Sequence, residues 1–307
     1  MAFELAGILA APLAAATVGA SYMVHCRVRG WLPEDAPAIG RKQHARATPL
    51  AGIALLPVLL GWQIFEANDY ALAFATAALG VVGHLDDLRK SRGGLSWRIK
   101  AVALGLATAV VAADHAGWQL AFPFVAAWAL AFVLVNATNF LDNTNGTCAA
   151  ITAGSLLGNQ CMLGESSHSY VAWTALGFLP WNWPRSRVFL GDSGAYALGI
   201  AVADRALANL PLSSLAASEP AVQVDRAMEH WALGAVLLLP FAVQLLDFAQ
   251  VVCVRLWLGI APWRGDRRHL THIAQNLGLP AVFVAPLFLL LAFAPGWAFV
   301  AWIRAGW

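Results

Sequence analysis

The chain has 307 residues, 60% of them hydrophobic and only 12% charged, with a mean hydropathy of +0.64. A soluble domain carries about a quarter charged residues, so a single aqueous core cannot hide this much apolar surface and an ordinary soluble fold is excluded. The net charge of +2 excludes little by itself; the distribution of the charges says more.

In chain order, apolar segments fall near 3–24, 50–67, 70–85, 99–114, 119–137, 146–163, 169–180, 194–211, 231–252 and 281–303. Runs of about 17–25 apolar residues mark transmembrane helices, and these lack the strict alternation of a β-barrel. The expectation is an all-α polytopic membrane protein, a single domain over 1–307 with about ten transmembrane helices and both termini outside. The start "MAFE" carries an acid and no base, and Arg27 and Arg29 follow the first apolar run. That pattern is one of a retained first helix, not of a cleaved signal peptide. The inside segments are then about 25–48, 86–100, 138–146, 181–192 and 253–280. They hold every one of the 19 Lys and Arg except Arg205, Arg226 and Arg304, as the positive-inside rule requires. Cys26, Cys148, Cys161 and Cys253 show no metal or disulfide spacing and read as small apolar fillers.

The polar oddities lie in the same inside segments. The first, "RKQHARATPLAG" (41–52), has Lys42, His44 and Arg46; the second, "GHLDDLRK" (83–90), has Asp86 and Asp87 followed by Arg89 and Lys90. The third, "NATNFLDNTNG" (136–146), packs Asn136, Asn139, Asp142, Asn143 and Asn145 into eleven residues. The fourth, "NWPRSRVFLGDSGAYALG" (182–199), sets Asp192 between Gly191 and Gly194 at the start of an apolar helix. The last, "RGDRRHLTHI" (264–273), gathers Arg264, Asp266, Arg267, Arg268, His269 and His272. Each has a bland reading alone: a polar turn, a solvated acid pair, an N-cap aspartate, or basic residues on lipid headgroups. Together, acids able to hold a divalent cation face bases able to hold phosphates, which is the kit for phosphoryl transfer. The spacing of Asp87 and Lys90 (i, i+3) lets both face one site on a helix.

These motifs resemble those of the polyprenyl-phosphate N-acetylhexosamine-1-phosphate transferase superfamily, with its WecA-type, TagO-type and MraY-type branches. The resemblance rests on K-x-H-x3-T-P from Lys42, on Asp86–Asp87, on N-x-x-N-x-x-D from Asn136, on "GFLPWN" with "GDSG", and on D-R-x-H-x-x-H from Asp266. It covers nearly the whole chain. It implies ten helices, an active site at the cytoplasmic face of the bacterial inner membrane, and transfer of a sugar 1-phosphate from a UDP-sugar to polyprenyl phosphate with release of UMP. It also implies Mg2+, with Mn2+ as a substitute, held by Asp192 and Asn139 with Asp142 beside them. By the same resemblance Asp86 positions or deprotonates the acceptor phosphate, Asp87 supports it and Lys90 contacts the pyrophosphate. Lys42, His44 and Asn136 fall among the substrate-binding residues. Asn145, Asn182 and Phe189 match nucleoside-pocket positions, and Arg267, Arg268, His269 and His272 the loop on the sugar and phosphates. The expected partners are the UDP-sugar, the polyprenyl phosphate lipid and the bilayer, with no nucleic acid; a second copy of the chain is left open.

The last loop is nearer the WecA and TagO branch, which points to a UDP-N-acetylhexosamine such as UDP-GlcNAc over UDP-MurNAc-pentapeptide. Two places depart from the pattern. In "DNTNG" Asn143 replaces a glycine and Asn145 an aspartate, and in "HLTH" Thr271 replaces a histidine. A secondary transporter would place its polar site near the midplane, not at one face. The aspartate spacings of UbiA-type prenyltransferases and the long signature of CDP-alcohol phosphotransferases are absent.

Overall fold

In a bilayer every backbone N–H and C=O must be satisfied within the chain, so long apolar segments become helices. The computed structural model describes residues 2–28, 30–36, 47–118, 122–164, 166–210, 212 and 233–305, with only the backbone of 2–6. It is mostly helical. The helices are α1 (Ala2–Arg27), α2 (Leu56–Phe65), α3 (Tyr70–Arg89), α4 (Trp97–Ala116), α5 (Phe122–Phe140) and α6 (Thr147–Leu163). They continue as α7 (Ser169–Asn182), α8 (Gly191–Ala208), α9 (Ala242–Trp257), α10 (Leu270–Asn276) and α11 (Ala281–Arg304), with short 3-10 turns leading into α2 and α9. Side chains set several starts: Asp69 accepts from Leu72 N at 2.8 Å before α3, and Ser96 from Ile99 N at 3.4 Å before α4, each satisfying an N–H the helix itself cannot.

Among the described residues, six helical stretches are long and apolar enough to cross a membrane: Gly7–Arg27, Tyr70–Arg92, Trp97–Ala116, Phe122–Phe140, Leu239–Trp257 and Ala281–Arg304. The chain is a multi-pass membrane protein. The other expected segments are helical in their described parts but fall short by length or composition. The 14 residues of α7 reach only about 21 Å at 1.5 Å each, against a hydrocarbon core of about 30 Å. The 18 residues of α8 include Asp192, Asp204 and Arg205. The third segment, expected to end at 85, runs on to Arg89, so Asp86 and Asp87 stand inside α3. One small departure from all-helical structure is an antiparallel pair of two-residue strands, β1 (Glu34–Asp35) and β2 (Thr48–Pro49), in register Glu34 with Pro49. Lys42 and His44, which fall between the two strands in the sequence, lie outside the described residues.

Helix α8 is the centre of the bundle. Its residues from Ser193 to Leu207 are buried without a break, packed chiefly against α3 and α5. Small residues permit the approach, as in other membrane bundles: a Cβ on Gly83 of α3 would lie 2.5 Å from Ser193 N. Around this centre α1 pairs with α7 and α11 with α6. Large apolar side chains such as Phe74, Leu106 and Leu290 point outward, as a lipid-facing surface demands. No cysteine is in a disulfide; Cys148 is buried, while Cys26, Cys161 and Cys253 are exposed.

Candidate active site

The site is built on the first turn of α8. Gly191 turns the chain into the helix at φ +68°, a conformation that favours glycine, and a Cβ there would sit 2.6 Å from Asp87 Oδ2. A helix start leaves its first N–H groups without partners; here carboxylates from other elements take them. Gly191 N donates to Asp142 Oδ2 at 3.0 Å, Asp192 N to Asp87 Oδ1 at 3.1 Å and Ser193 N to Asp87 Oδ2 at 3.2 Å. The side chain of Asp192 is therefore not a cap. It faces Lys100 Nζ at 3.4 Å and Asn139 Nδ2 at 3.5 Å.

Asp86, one residue before Asp87, accepts from Leu95 N and from Lys100 Nζ, the latter at 3.3 Å. Lys100 thus stands between Asp86 and Asp192. Lys90 lies 3.5 Å from Asp87 Oδ1, the pairing its i, i+3 spacing implied. Asp86 and Asp87 are buried. Among the described residues four carboxylates share two ammonium groups, an anionic surplus. Burial, with the charge of Asp192 adding to it and Lys90 opposing, raises Asp142 to about 7.

The donor set suits a hard divalent cation. Asp192 offers carboxylate oxygens, and a half-turn of the Asn139 amide would present its oxygen beside them without adding negative charge. Among the described residues no three His, Cys, Asp or Glu side chains form a ready metal cage; Mg2+ ordinarily takes one or two carboxylates and fills its other positions with water and substrate phosphate.

Other candidates are placed around this centre. Asn145 Nδ2 donates to Pro184 O at 3.3 Å, tying the third polar loop to the fourth. Asn182 is buried and its amide is committed to backbone: Gly146 N donates to Oδ1 at 2.6 Å, and Nδ2 donates to Val188 O at 2.8 Å. It staples two loops. Phe189 sits beside Leu50, its backbone joined to Pro49 and Ala51, which seats the first loop against the start of α8. Asn136 donates to Phe132 O one turn back in its own helix. In the last loop Asp266 binds Arg255 at 3.1 Å and Arg268 at 2.7 Å; burial opposes its charge, but these partners hold it down to about 2. His269 donates from Nδ1 to Asp247 Oδ2 at 2.8 Å. His272 is buried, and that burial, with the charge of Arg267 next, holds its imidazole down to about 4. Arg267 is exposed.

Two residues escape a sequence reading. Lys100 counts there only as one of many basic flanks, and its role comes from a fold that returns α4 to α8. Asp247 lies inside an apolar segment, and an acid in such a place is a signal of pairing or function by default; here it anchors His269 and, at 2.7 Å, Leu270 N.

The family described as Glycosyl transferase family 4 matches residues 70–209. The chain is 37% identical over 166 residues to an undecaprenyl-phosphate alpha-N-acetylglucosaminyl 1-phosphate transferase of Thermotoga maritima, covering 52% of this chain and 51% of that protein. It is 34% identical over 214 residues to a phospho-N-acetylmuramoyl-pentapeptide-transferase of Synechococcus sp. (strain JA-3-3Ab), covering 60% and 62%. A decaprenyl-phosphate N-acetylglucosaminephosphotransferase of Mycobacterium leprae is 25% identical over 295 residues, covering 80% and 71%. The chain spans from about half to three fifths of the length of the first two relatives.

Proposed function

We propose, from the match of residues 70–209 to glycosyl transferase family 4, that the chain transfers an N-acetylhexosamine 1-phosphate from a UDP-sugar to a polyprenyl phosphate, releasing UMP. The observation that carries this is the meeting of Asp86, Asp87, Asp142 and Asp192 with Lys90 and Lys100 at the first turn of α8.

In the reaction an oxygen of the lipid phosphate bonds to the β-phosphorus of the donor. The bond from that phosphorus to the UMP oxygen breaks, and UMP leaves with the electron pair. Both reactants are anions, so catalysis is mostly positioning and charge stabilisation. Asp87 and Asp142 are committed to the backbone of α8; they fix the first turn so that the reacting groups keep one geometry. Asp86 is the acid with a replaceable partner, suited to receive or orient the acceptor phosphate. Lys90 and Lys100 each carry three rotatable donors and can turn from carboxylate to phosphate oxygens when a nucleotide enters. Asp192 and Asn139, with Asp142 beside them, would hold Mg2+ or Mn2+, which supplies positive charge to offset the repulsion between the anions.

The N-acetylglucosamine donor is favoured by the names of the Thermotoga and Mycobacterium relatives; the pentapeptide donor is the second reading, favoured by the Synechococcus relative. The proposal includes about ten helices in a bacterial inner membrane with the α8 start facing the cytoplasm. Its support is that Arg89, Lys90, Arg92, Arg98 and Lys100 flank the same acids, as the positive-inside rule expects.

The test is UMP release by the purified protein given UDP-GlcNAc, undecaprenyl phosphate and Mg2+, with each omitted in turn. UMP should appear only when all three are present. Release without the lipid acceptor, or none from any UDP-sugar in a panel, contradicts the proposal.

A further inference from the structure

The last loop, 258–280, is held from three sides. Arg255, 1% exposed, grips Asp266 and stacks over Phe140 at 5.0 Å. Asp247, fully buried, fixes His269 and Leu270 N at the start of α10. The third hold joins this loop directly to the loop that carries Asp142: Thr271 Oγ1 donates to Asn143 Oδ1 at 2.7 Å, and Thr271 is fully buried. The Asn143 amide cannot easily turn away, because its Nδ2 donates to Phe140 O at 2.8 Å and Thr144 Oγ1 donates to the same Oδ1 at 3.0 Å.

Next to Thr271 is His272, only 7% exposed, with Nδ1 buried and without a hydrogen-bond partner. A buried polar atom left open is costly unless a ligand or water meets it. The Thr271–Asn143 bond therefore ties the chain neighbour of His272 to the chain neighbour of Asp142, which in turn accepts from Gly191 N beside Asp192. Both partners of the 2.7 Å bond stand where the sequence departs from the transferase pattern. A glycine at 143 would have no side chain to accept it, so the bond belongs to this chain's own pair of residues.

Resting on the transferase reading, we propose that Thr271 and Asn143 form a latch that positions the His272 imidazole against the nucleotide-sugar, making both of them positioning residues for donor binding. The neutral imidazole supplies an atom that can hydrogen-bond a hydroxyl, amide or phosphate oxygen of the donor. The latch sets its distance from the acids, and misplacing a binding group by an ångström weakens what it binds steeply.

The experiment uses Thr271→Val, which keeps shape and loses the hydroxyl, Thr271→Ser, which restores it, Asn143→Ala, and the Val/Ala double variant. For the latch, Thr271→Val raises KM for the nucleotide-sugar about tenfold while kcat and the KM for polyprenyl phosphate stay near wild type. Thr271→Ser recovers the wild-type KM, and the double variant is no worse than the worse single, as residues sharing one bond require. Amide hydrogen exchange over 269–276 reads the latch without turnover: it should rise in Thr271→Val and in Asn143→Ala, and not in Thr271→Ser. Additive KM effects, or an unchanged KM in Thr271→Val with wild-type turnover intact, overturn the latch alone. A wild type inactive on every nucleotide-sugar overturns the transferase reading instead; unchanged exchange in Thr271→Val then overturns the latch as well.

Discussion

Asp192 and Asp204 lie at opposite ends of α8, about 18 Å apart along its axis, and the fold treats them in opposite ways. Asp204, 3% exposed, has each carboxylate oxygen met by one imidazole: His115 Nε2 donates to Oδ1 at 2.8 Å and His168 Nε2 to Oδ2 at 2.7 Å. Its neighbour Arg205 is tied to Asn159 at 2.8 Å and Ser167 at 3.2 Å. At this end both oxygens of the carboxylate are met by imidazoles, and the result joins the ends of α4, α7 and α8. At the other end, among the described residues, four carboxylates share two lysines, and two of those carboxylates are spent on the backbone of α8. Burying charge is expensive unless it is paired, so a balanced cluster reads as structure and an anionic surplus reads as a place for a cation and a phosphate. The same residue type on the same helix serves both ends; only the surrounding partners differ.

The contrast can be broken from either side. Removing Lys100, as Lys100→Met, takes away the ammonium between Asp86 and Asp192. Turnover should fall by about 10²-fold, the usual cost of one lost electrostatic element at a transition state, with steady-state kinetics as the measurement. A change of less than threefold would make Lys100 a bystander. At the other end His168→Ala leaves one buried oxygen of Asp204 unmet, at a cost of about 1–3 kcal/mol. Thermal unfolding in detergent should show a lower Tm, while turnover at a permissive temperature stays near wild type. The smallest effect concerns how far the reactive end extends. If Asn145 touches the base of the donor, Asn145→Asp gains a charged acceptor and should lower the KM for a UDP-sugar by about tenfold, a charged hydrogen bond contributing about 1.5 kcal/mol. Its present bond to Pro184 O is lost in the exchange, so an unchanged KM would mark Asn145 as a loop staple like Asn182.

Much of this molecule is legible in the sequence, for local reasons. Apolar runs became helices because lipid leaves the backbone no alternative, and the acid and amide motifs stand out because polar groups are costly there. Asp86, Asp87, Asp142 and Asp192, expected in inside segments, converge at the first turn of α8, with Asp86 and Asp87 carried there by the end of α3. What stayed hidden is pairing at a distance. Nothing near Lys100 says that it reaches Asp192, and nothing near His115 says that it shares Asp204 with His168. Asn143 and Thr271 were visible only as departures from a pattern; that they touch depends on where α9 returns the last loop. The partners of Asn182 stay hidden for a related reason. A buried amide serves a ligand or the backbone equally well, and nothing near it in the sequence says that it meets Gly146 N and Val188 O.

The sharpest test of the two-ended helix is a matched pair, Asp192→Asn and Asp204→Asn, each assayed for turnover per folded molecule and for Tm on the same sample. Asp192→Asn should keep a Tm near wild type and lose turnover by at least about 10²-fold. Asp204→Asn should lose Tm while its folded fraction turns over near normally. An active Asp192→Asn, or an Asp204→Asn that folds normally and is inactive, would place the chemistry at the wrong end of α8.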